Sequence, residues 1–310
     1  MTSIASVDSK LCAQRIGVPG NWRLAALDAL RERDPGAKAE AVQALHALVQ
    51  DGISNGMSNH ISCWDAQREI DAPADLPGRP ARPVLVEPRQ LERRSMSTPQ
   101  GRVVLLHALA HIEFNAINLA LDAVWRFPGM PDAFYADWLT VAAEEAFHFS
   151  LLGARLADYG HAYGDFPAHN GLWEMCERTR DDVLARMALV PRVLEARGLD
   201  AAPPIRARLK QAGDDQSAAV LDVILRDEVG HVRIGNRWFR FLCEARGLDP
   251  HAAWLTLAQQ YRAPKMRGPF NFEARRSAGF DDAELDTLAS QDAPEQAAAD
   301  ARLRDDDKDE

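Results

Sequence analysis

The chain is poor in the features that mark zinc, iron–sulfur and disulfide-rich proteins. Its 310 residues contain only four cysteines, Cys12, Cys63, Cys176 and Cys243, and no two of them form a Cys-x-x-Cys pair. Cysteines scattered in this way predict reduced thiols in a cytoplasmic protein, and they argue against a thiolate metal framework.

Targeting signals and long apolar runs are scarce as well. The first residues lack a basic region followed by an apolar stretch, so we predict no signal peptide. No segment approaches the ~18 apolar residues of a membrane helix, so we expect no membrane span.

An excess of positive charge is also missing. Acidic residues outnumber basic ones by 46 to 36, which gives a net charge of −10. Residues 281–310 hold twelve of the acidic residues and three of the basic ones, so the remaining 280 residues are nearly neutral. This distribution predicts an acidic, disordered tail and disfavours nucleic acid as the main partner.

Helical patterns dominate what is present, and no strand pattern of any length competes with them. Residues 1–97 read as an N-terminal helical region that ends in a proline-rich strap, since its prolines forbid a long helix. Residues 98–247 hold four long helical segments, 248–280 a shorter helix and a basic strap, and 281–310 the tail. The sequence therefore predicts an all-α fold.

Capping residues predict where several helices begin. Thr98 before Pro99 and Asp249 before Pro250 are each a cap followed by proline at the first helical position. The third long helix is expected to begin near Asp182 and to end at Gly198, and the fourth to run over residues 214–246.

Two copies of Glu-x-x-His are the most informative motif of the chain. They are Glu145/His148 in the second long helix and Glu228/His231 in the fourth. Residues three apart share a helix face, so each motif directs a carboxylate and an imidazole to the same point. Two such pairs, with one Glu from each of two further helices, are the ligand set of a di-iron carboxylate bundle.

Glu113 and Glu195 are the candidates for those two further ligands. Glu113 interrupts an apolar stripe, and it lies 32 residues before Glu145, while Glu195 lies 33 before Glu228. A helix rises ~1.5 Å per residue, so Glu113 and Glu145 each lie about 20 Å along their helix from the common loop and are expected at the same level of the bundle. Because Glu195 follows a proline and precedes Gly198 and two further prolines, the helix must kink there or be continued by a short segment at 205–212. Three acidic residues remain alternatives: Glu177, Asp181 and Asp182.

The ligand types predict the metal and its chemistry. Carboxylates can bridge two cations, and imidazole suits iron and manganese. We therefore expect two iron ions, with manganese or a mixed pair as the alternative, held by Glu113, Glu145, His148, Glu195, Glu228 and His231. Such a site activates dioxygen or reduces peroxide, on a substrate that the sequence does not identify.

The chain also resembles a bacterial family of ferritin-like proteins of unknown function. The resemblance covers residues 101–280, and the residues that carry it are His107 to Asp122, Glu144 to Phe149, Glu195 to Asp200, Arg226 to His231 and Ala263 to Phe270. It is more distantly similar to the diiron tRNA hydroxylase, whose third-helix ligand also sits in a Glu-Ala-Arg context. The resemblance implies a ferritin-like four-helix bundle with a long crossover and a metal site.

Several alternatives stay open at this point. The protein is either an oxidoreductase, an iron storage or detoxification protein, a tRNA-modifying hydroxylase or a non-catalytic metal-binding scaffold, and a homodimer is one option for its assembly. We expect the polar face of the first long helix to be solvated or interdomain, and Glu144 and Asp227 to lie outside the ligand set. A basic strap after the fourth helix is either a packing arm or an anion site; it comprises Arg262, Lys265, Arg267, Arg275 and Arg276.

Overall fold

The computed structural model describes residues 21–54, 63–91 and 95–290 of the chain. These residues are helical apart from loops and one isolated β-bridge, between Leu85 and Ala168, which confirms the all-α prediction. In chain order the helices are α1 (Trp22–Arg31), α2 (Pro35–Ser54), α3 (Pro99–Arg126), α4 (Asp132–Asp158), α5 (Gly171–Arg178), α6 (Val183–Leu189), α7 (Ala196–Gln211), α8 (Asp215–Ala245), α9 (Pro250–Gln260) and α10 (Phe272–Ser277). Residues 282–290 are also helical.

The predicted helix starts are confirmed by their caps. The side chain of Thr98 accepts a hydrogen bond from the backbone N–H of Gly101 at 3.0 Å, and that of Asp249 accepts from Ala252 at 2.8 Å. Asp182 accepts from the N–H of Leu184 at 3.0 Å and begins α6. Each cap satisfies one of the donors that a helix N-terminus leaves unpaired.

The predicted end of the third long helix is wrong. The helix does not stop at Gly198, because α7 continues to Gln211 with two prolines inside it. Gly198 lacks the positive φ of the glycines that follow α4 and α8, Gly160 (φ 75°) and Gly247 (φ 65°). It therefore does not adopt the left-handed conformation that commonly closes a helix.

The described residues divide into two compact units. The first comprises the residues up to Arg180 together with Arg208–Val223, and the second comprises Asp181–Ala207 together with the residues from Ile224 onward. The helices α7 and α8 each contribute to both units. The domain limits that the sequence suggests follow different criteria and stay a prediction.

In the first unit, α3 and α4 pack along each other as a helical hairpin, and α1, α2 and α5 pack around them. By length and composition α3 is apolar enough to cross a membrane, a feature we did not expect from the sequence. However, 72% of its most apolar window is buried inside the protein, as in the core helix of a globular fold.

The polar face of α3 is buried, so the expectation that it is solvated is wrong, whereas the contact of Asn118 with Lys38 agrees with the interdomain alternative. Its buried side chains are His107, His111, Asn115, Asn118 and Asp122. The segment between α4 and α6 covers this face: Gly164 N–H donates to His107 Nε2 at 2.9 Å, and the Tyr163 hydroxyl lies 2.8 Å from His111 Nδ1. A helical pattern separates polar from apolar faces, but it does not tell which later segment covers the polar one.

A buried lysine connects three segments of the first unit. Lys38 Nζ donates to the carbonyl oxygens of Leu30 and Gly78, at 3.0 and 2.9 Å, and to the side-chain oxygen of Asn118. Burial, with the nearby charge of Arg79, lowers the pKa of Lys38 to about 7. This contact holds α2 and the proline-rich strap against α3.

The second unit is built around a buried arginine. Arg192 is fully buried, pairs with the equally buried Glu284, and donates from Nε to Asn236 Oδ1 at 2.6 Å. Its guanidinium lies 4.1 Å from the centre of the Phe239 ring, and burial lowers its pKa to about 10. The residues around 192 are thereby fixed to α8 and to the helix at 282–290.

This ion pair corrects the predicted start of the disordered tail. Residues 282–290 are helical, and Leu285 and Leu288 are buried beside Glu284. The composition of 281–310 reports its average charge but not the apolar stripe at its beginning. The rest of the predicted tail, 291–310, lies outside the described residues.

The cysteine prediction is wrong at one position. Cys63 is disulfide-bonded, whereas Cys176 and Cys243 are free and buried. Because disulfides are rare in the cytosol, the cysteines no longer favour a cytoplasmic protein.

We predict that Glu284→Gln lowers the free energy of unfolding by about 3–5 kcal/mol, because it leaves the buried Arg192 charge without its counter-ion. Asp282→Asn is the matched control, since Asp282 pairs with Arg276 on the surface and its side chain is 82% exposed. Its effect should stay within about 0.5 kcal/mol. Urea unfolding measures both, and equal effects would contradict the structural role of Glu284.

Candidate metal centre

The first cluster of candidate ligands lies on the α3–α4 hairpin. Glu113 is 3% exposed, and Glu145 and His148 are fully buried. His148 Nδ1 lies 3.4 Å from Glu113 Oε2 and 3.3 Å from Glu145 Oε2. The three side chains offer ligand atoms within 4.8 Å of one another, so this buried Glu/His group is able to bind a metal ion.

Local sequence explains why these side chains meet. The caps of α3 and the short loop after Arg126 fix the two helices as neighbours, and apolar residues surround the cluster on both. Those neighbours include Leu106, Ala110 and Ile117 on α3, and Trp138, Val141 and Leu152 on α4, all buried. Carboxylates placed in such surroundings require compensation by positive charge, because an uncompensated buried carboxylate costs several kcal/mol.

A protonated His148 supplies that compensation. Burial alone lowers the pKa of His148, but hydrogen bonds to Glu113 and Glu145 and their negative charge outweigh it and raise the pKa to about 11. The imidazolium therefore stands between two carboxylates. A cation bound by the same three groups would take over the role of this proton.

The second cluster lies in the other unit. Glu228 and His231 sit on α8, with exposures of 8% and 0%, and His231 Nδ1 is 3.9 Å from Glu228 Oε2. Nδ1 faces the carboxylate three residues earlier in both motifs. Glu195, 9% exposed, ends a π-helical turn that spans Val190–Glu195 between α6 and α7.

The π turn explains how a helix with a proline at 191 carries Glu195. Proline has no N–H for the helical ladder, and π turns inside helices are frequent at functional sites. The turn lies close to α8, because a Cβ added to Gly235 would come within 2.3 Å of Pro191 Cβ. One turn further on, a Cβ at Gly198 would lie 3.9 Å from Glu228 Cδ. These approaches bring the helix that carries Glu195 next to Glu228.

Two of the three alternatives to Glu195 have other tasks, and the third, Asp181, is exposed. Glu177 accepts a hydrogen bond from Trp173 Nε1 at 2.9 Å, and Asp182 caps α6 and pairs with Arg246 at 2.8 Å. Asp227 pairs with its neighbour Arg226 at 2.8 Å, and Glu144 is half-buried beside Glu145. Sequence reasoning missed Arg192, Asn236 and Gly235, which hold the π turn; a glycine inside the apolar pattern of α8 was the available signal.

The first cluster thus contains two carboxylates and one imidazole, and Glu228 and His231 on α8 offer one carboxylate and one imidazole. Hard oxygen donors with an imidazole nitrogen suit iron, manganese and other divalent first-row metals, so the donor set fits the expected ions. Whether all six side chains act on a common pair of ions stays a prediction.

Comparison with known proteins identifies the family. The family described as "Protein of unknown function (DUF455)" matches residues 31–286, which include all six candidate ligands. The chain belongs to this family. An uncharacterized protein of Haemophilus influenzae is 49% identical over 227 residues, which cover 71% of this chain and 79% of that protein. No solved structure matches the chain.

These comparisons bear out an unknown-function family but name no activity for this DUF455 chain. The likeness to ferritin-like proteins and to the diiron tRNA hydroxylase therefore remains a prediction.

We predict that Gly235→Ala destabilises the protein by about 1–3 kcal/mol, because its methyl group would overlap Pro191. Gly230→Ala is the matched control on the same helix, since a Cβ there meets nothing within 4 Å. Replacing glycine by alanine in a helix without a clash stabilises it by up to ~1 kcal/mol. Urea unfolding compares the two variants, and shifts of the same sign would contradict the close approach of the π turn to α8.

Proposed function

We propose that this DUF455 protein is a metal-dependent oxidoreductase with a di-iron carboxylate site on a ferritin-like bundle. The observation that supports it best is the buried group of Glu113, Glu145 and His148. A globular chain rarely places two carboxylates against one imidazole in an apolar interior without a functional reason.

The composition of the two clusters supports a pair of ions. Glu113, Glu145 and His148 form one set, and Glu195, Glu228 and His231 form a second set of the same composition. Four carboxylates neutralise two divalent cations, and two histidines leave each ion with open positions. The near-equal spacings of 32 and 33 residues in the sequence are those expected when the two helix pairs present their ligands at one level.

The chain's own residues have definable tasks in this proposal. Glu113 and Glu195 are the single carboxylates, each able to bridge two ions, while each Glu-x-x-His motif completes one site. An iron pair, when bound, supplies electrons for the reduction of dioxygen or peroxide. The apolar neighbours on α3 and α4 keep bulk water from the first cluster, and His148 gives up its proton when it becomes a ligand.

Other expectations remain part of the proposal. We expect iron as the metal, with manganese as the alternative, and dioxygen or peroxide as the oxidant. A homodimeric assembly and a cytoplasmic location are also retained as predictions. The disulfide at Cys63 removes one argument for that location. No contact among the described residues specifically favours storage, tRNA modification or a non-catalytic scaffold.

We predict that the chain, loaded with Fe(II) under anaerobic conditions, binds two iron ions and consumes dioxygen when air is admitted. Glu145→Ala should bind at most one ion and lose the oxygen consumption, because it removes a ligand. Glu144→Ala, the neighbouring half-buried residue of the same type, should behave as the unchanged chain. Elemental analysis after gel filtration and an oxygen electrode measure both quantities.

Far-ultraviolet circular dichroism confirms that each variant is folded before loading. Well under one iron per chain in the unchanged protein would contradict the proposal. Equal iron contents in the two variants would contradict the assigned ligand.

A further inference from the structure

A cleft in the second unit collects much of the basic strap. It has a volume of about 450 Å³ and lies between the end of the π turn, the start of α7 and residues 264–275. Four basic side chains line it, Arg197, Lys265, Arg267 and Arg275, against the single acidic Asp200. A cleft lined by charges of one sign attracts ligands of the opposite sign.

Arg275 gives the cleft a fixed positive group. It is fully buried, its Nε lies 3.1 Å and its Nη2 2.5 Å from the Asp200 carboxylate, and Nη2 also donates to the Ala196 carbonyl at 3.2 Å. The rings of Phe270 and Phe280 lie 5.3 Å from its guanidinium carbon. The guanidinium is therefore held rigidly by its neighbours.

One nitrogen of the Arg275 guanidinium lacks a hydrogen-bond partner in the part of the chain that the structure describes. Nη1 of Arg275 is buried and has no hydrogen-bond partner among the described residues. Buried polar atoms are nearly always paired, and leaving one unpaired costs about 1–3 kcal/mol. A ligand in the cleft whose oxygen reaches this nitrogen would remove this cost.

The other basic residues complete the surroundings of such an acceptor. Arg197, Lys265 and Arg267 are exposed around the cleft, and the one acidic residue of the lining, Asp200, accepts from Arg275 and from the N–H of Asn271 at 2.9 Å. The balance of charge is thus positive. Arginine and lysine together bind carboxylate and phosphate oxygens strongly through charge-assisted hydrogen bonds.

The apolar lining residues and the volume of the cleft indicate what the rest of the ligand is like. Val193, Leu194, Met266 and Phe270 give the cleft an apolar part, and about 450 Å³ lies within the range of small-molecule sites. A ligand with an anionic head and an apolar body satisfies both parts.

We propose that this cleft binds a small organic anion, with a carboxylate or phosphate head on an apolar body. The binding itself is independent of the metal site. The suggestion that this anion is the substrate rests on the proposed function. It is based on sequence neighbours of the candidate ligand Glu195: the lining residues Val193 and Leu194 directly precede it, and Arg197 follows it by two residues. The basic strap is then an anion site rather than a packing arm.

Octanoate, octyl phosphate and octanol test the proposal, because they share an apolar body and differ in the head group. Isothermal titration of the full chain should show that at least one of the anions binds ten-fold or more tightly than octanol. The tighter of the two anions identifies the head group. Equal affinity for all three would overturn the anion site.

The double variant Lys265→Ala/Arg267→Ala should weaken binding of the preferred anion by ten-fold or more. Both side chains that it removes are exposed, and far-ultraviolet circular dichroism checks that the variant is folded. Arg276→Ala is the control: it removes a neighbouring exposed base that pairs with Asp282 and does not line the cleft. Unchanged binding in the double variant would overturn the assignment. Salt-dependent binding of tRNA that the double variant loses, with no measurable binding of octanoate or octyl phosphate, would overturn it in favour of a nucleic-acid surface.

Repeating the titration on Glu145→Ala separates the two proposals. Retained anion binding in this variant, with its iron lost, shows that the cleft stands independently of the metal site. Full iron loading without anion binding in the unchanged chain would overturn the anion-site proposal and leave the metal-site proposal intact.

Discussion

The cost of burying carboxylates in an apolar interior governs this structure. Glu113 and Glu145 approach His148 where no water is available to solvate them, so their charge must be matched locally. A protonated His148 matches part of it. A divalent cation with the same donors would match it more fully, so this buried Glu/His group is able to bind a metal ion.

Much of the second unit serves to hold one turn of helix in place. Arg192, at the centre of the π turn, is fixed by Glu284 and Asn236, and Gly235 permits the close approach of Pro191. These contacts determine where Glu195 lies on one side of the turn, and they also shape the cleft formed with Val193, Leu194 and Arg197. One buried ion pair therefore positions a candidate metal ligand and a candidate anion site.

The sequence predicted local features well and long-range contacts poorly. Thr98, Asp182 and Asp249 begin helices because an N-cap acts over three residues, and the Glu-x-x-His spacing likewise predicts a shared helix face. The burial of His107 and His111 depends on a segment more than fifty residues away, which no local pattern reveals. Glu284 was assigned to a disordered tail because composition averages over the buried helix that opens it. The pairing of Arg275 with Asp200 was likewise invisible, so the sequence left the basic strap between two interpretations.

Anomalous diffraction from crystals of the iron-loaded protein, collected on both sides of the iron absorption edge, would locate the iron ions themselves. We expect two peaks that disappear below the edge, each bound by one Glu-x-x-His motif and flanked by Glu113 and Glu195. The absence of any peak beside His148, with its imidazole still between the two carboxylates, would contradict it.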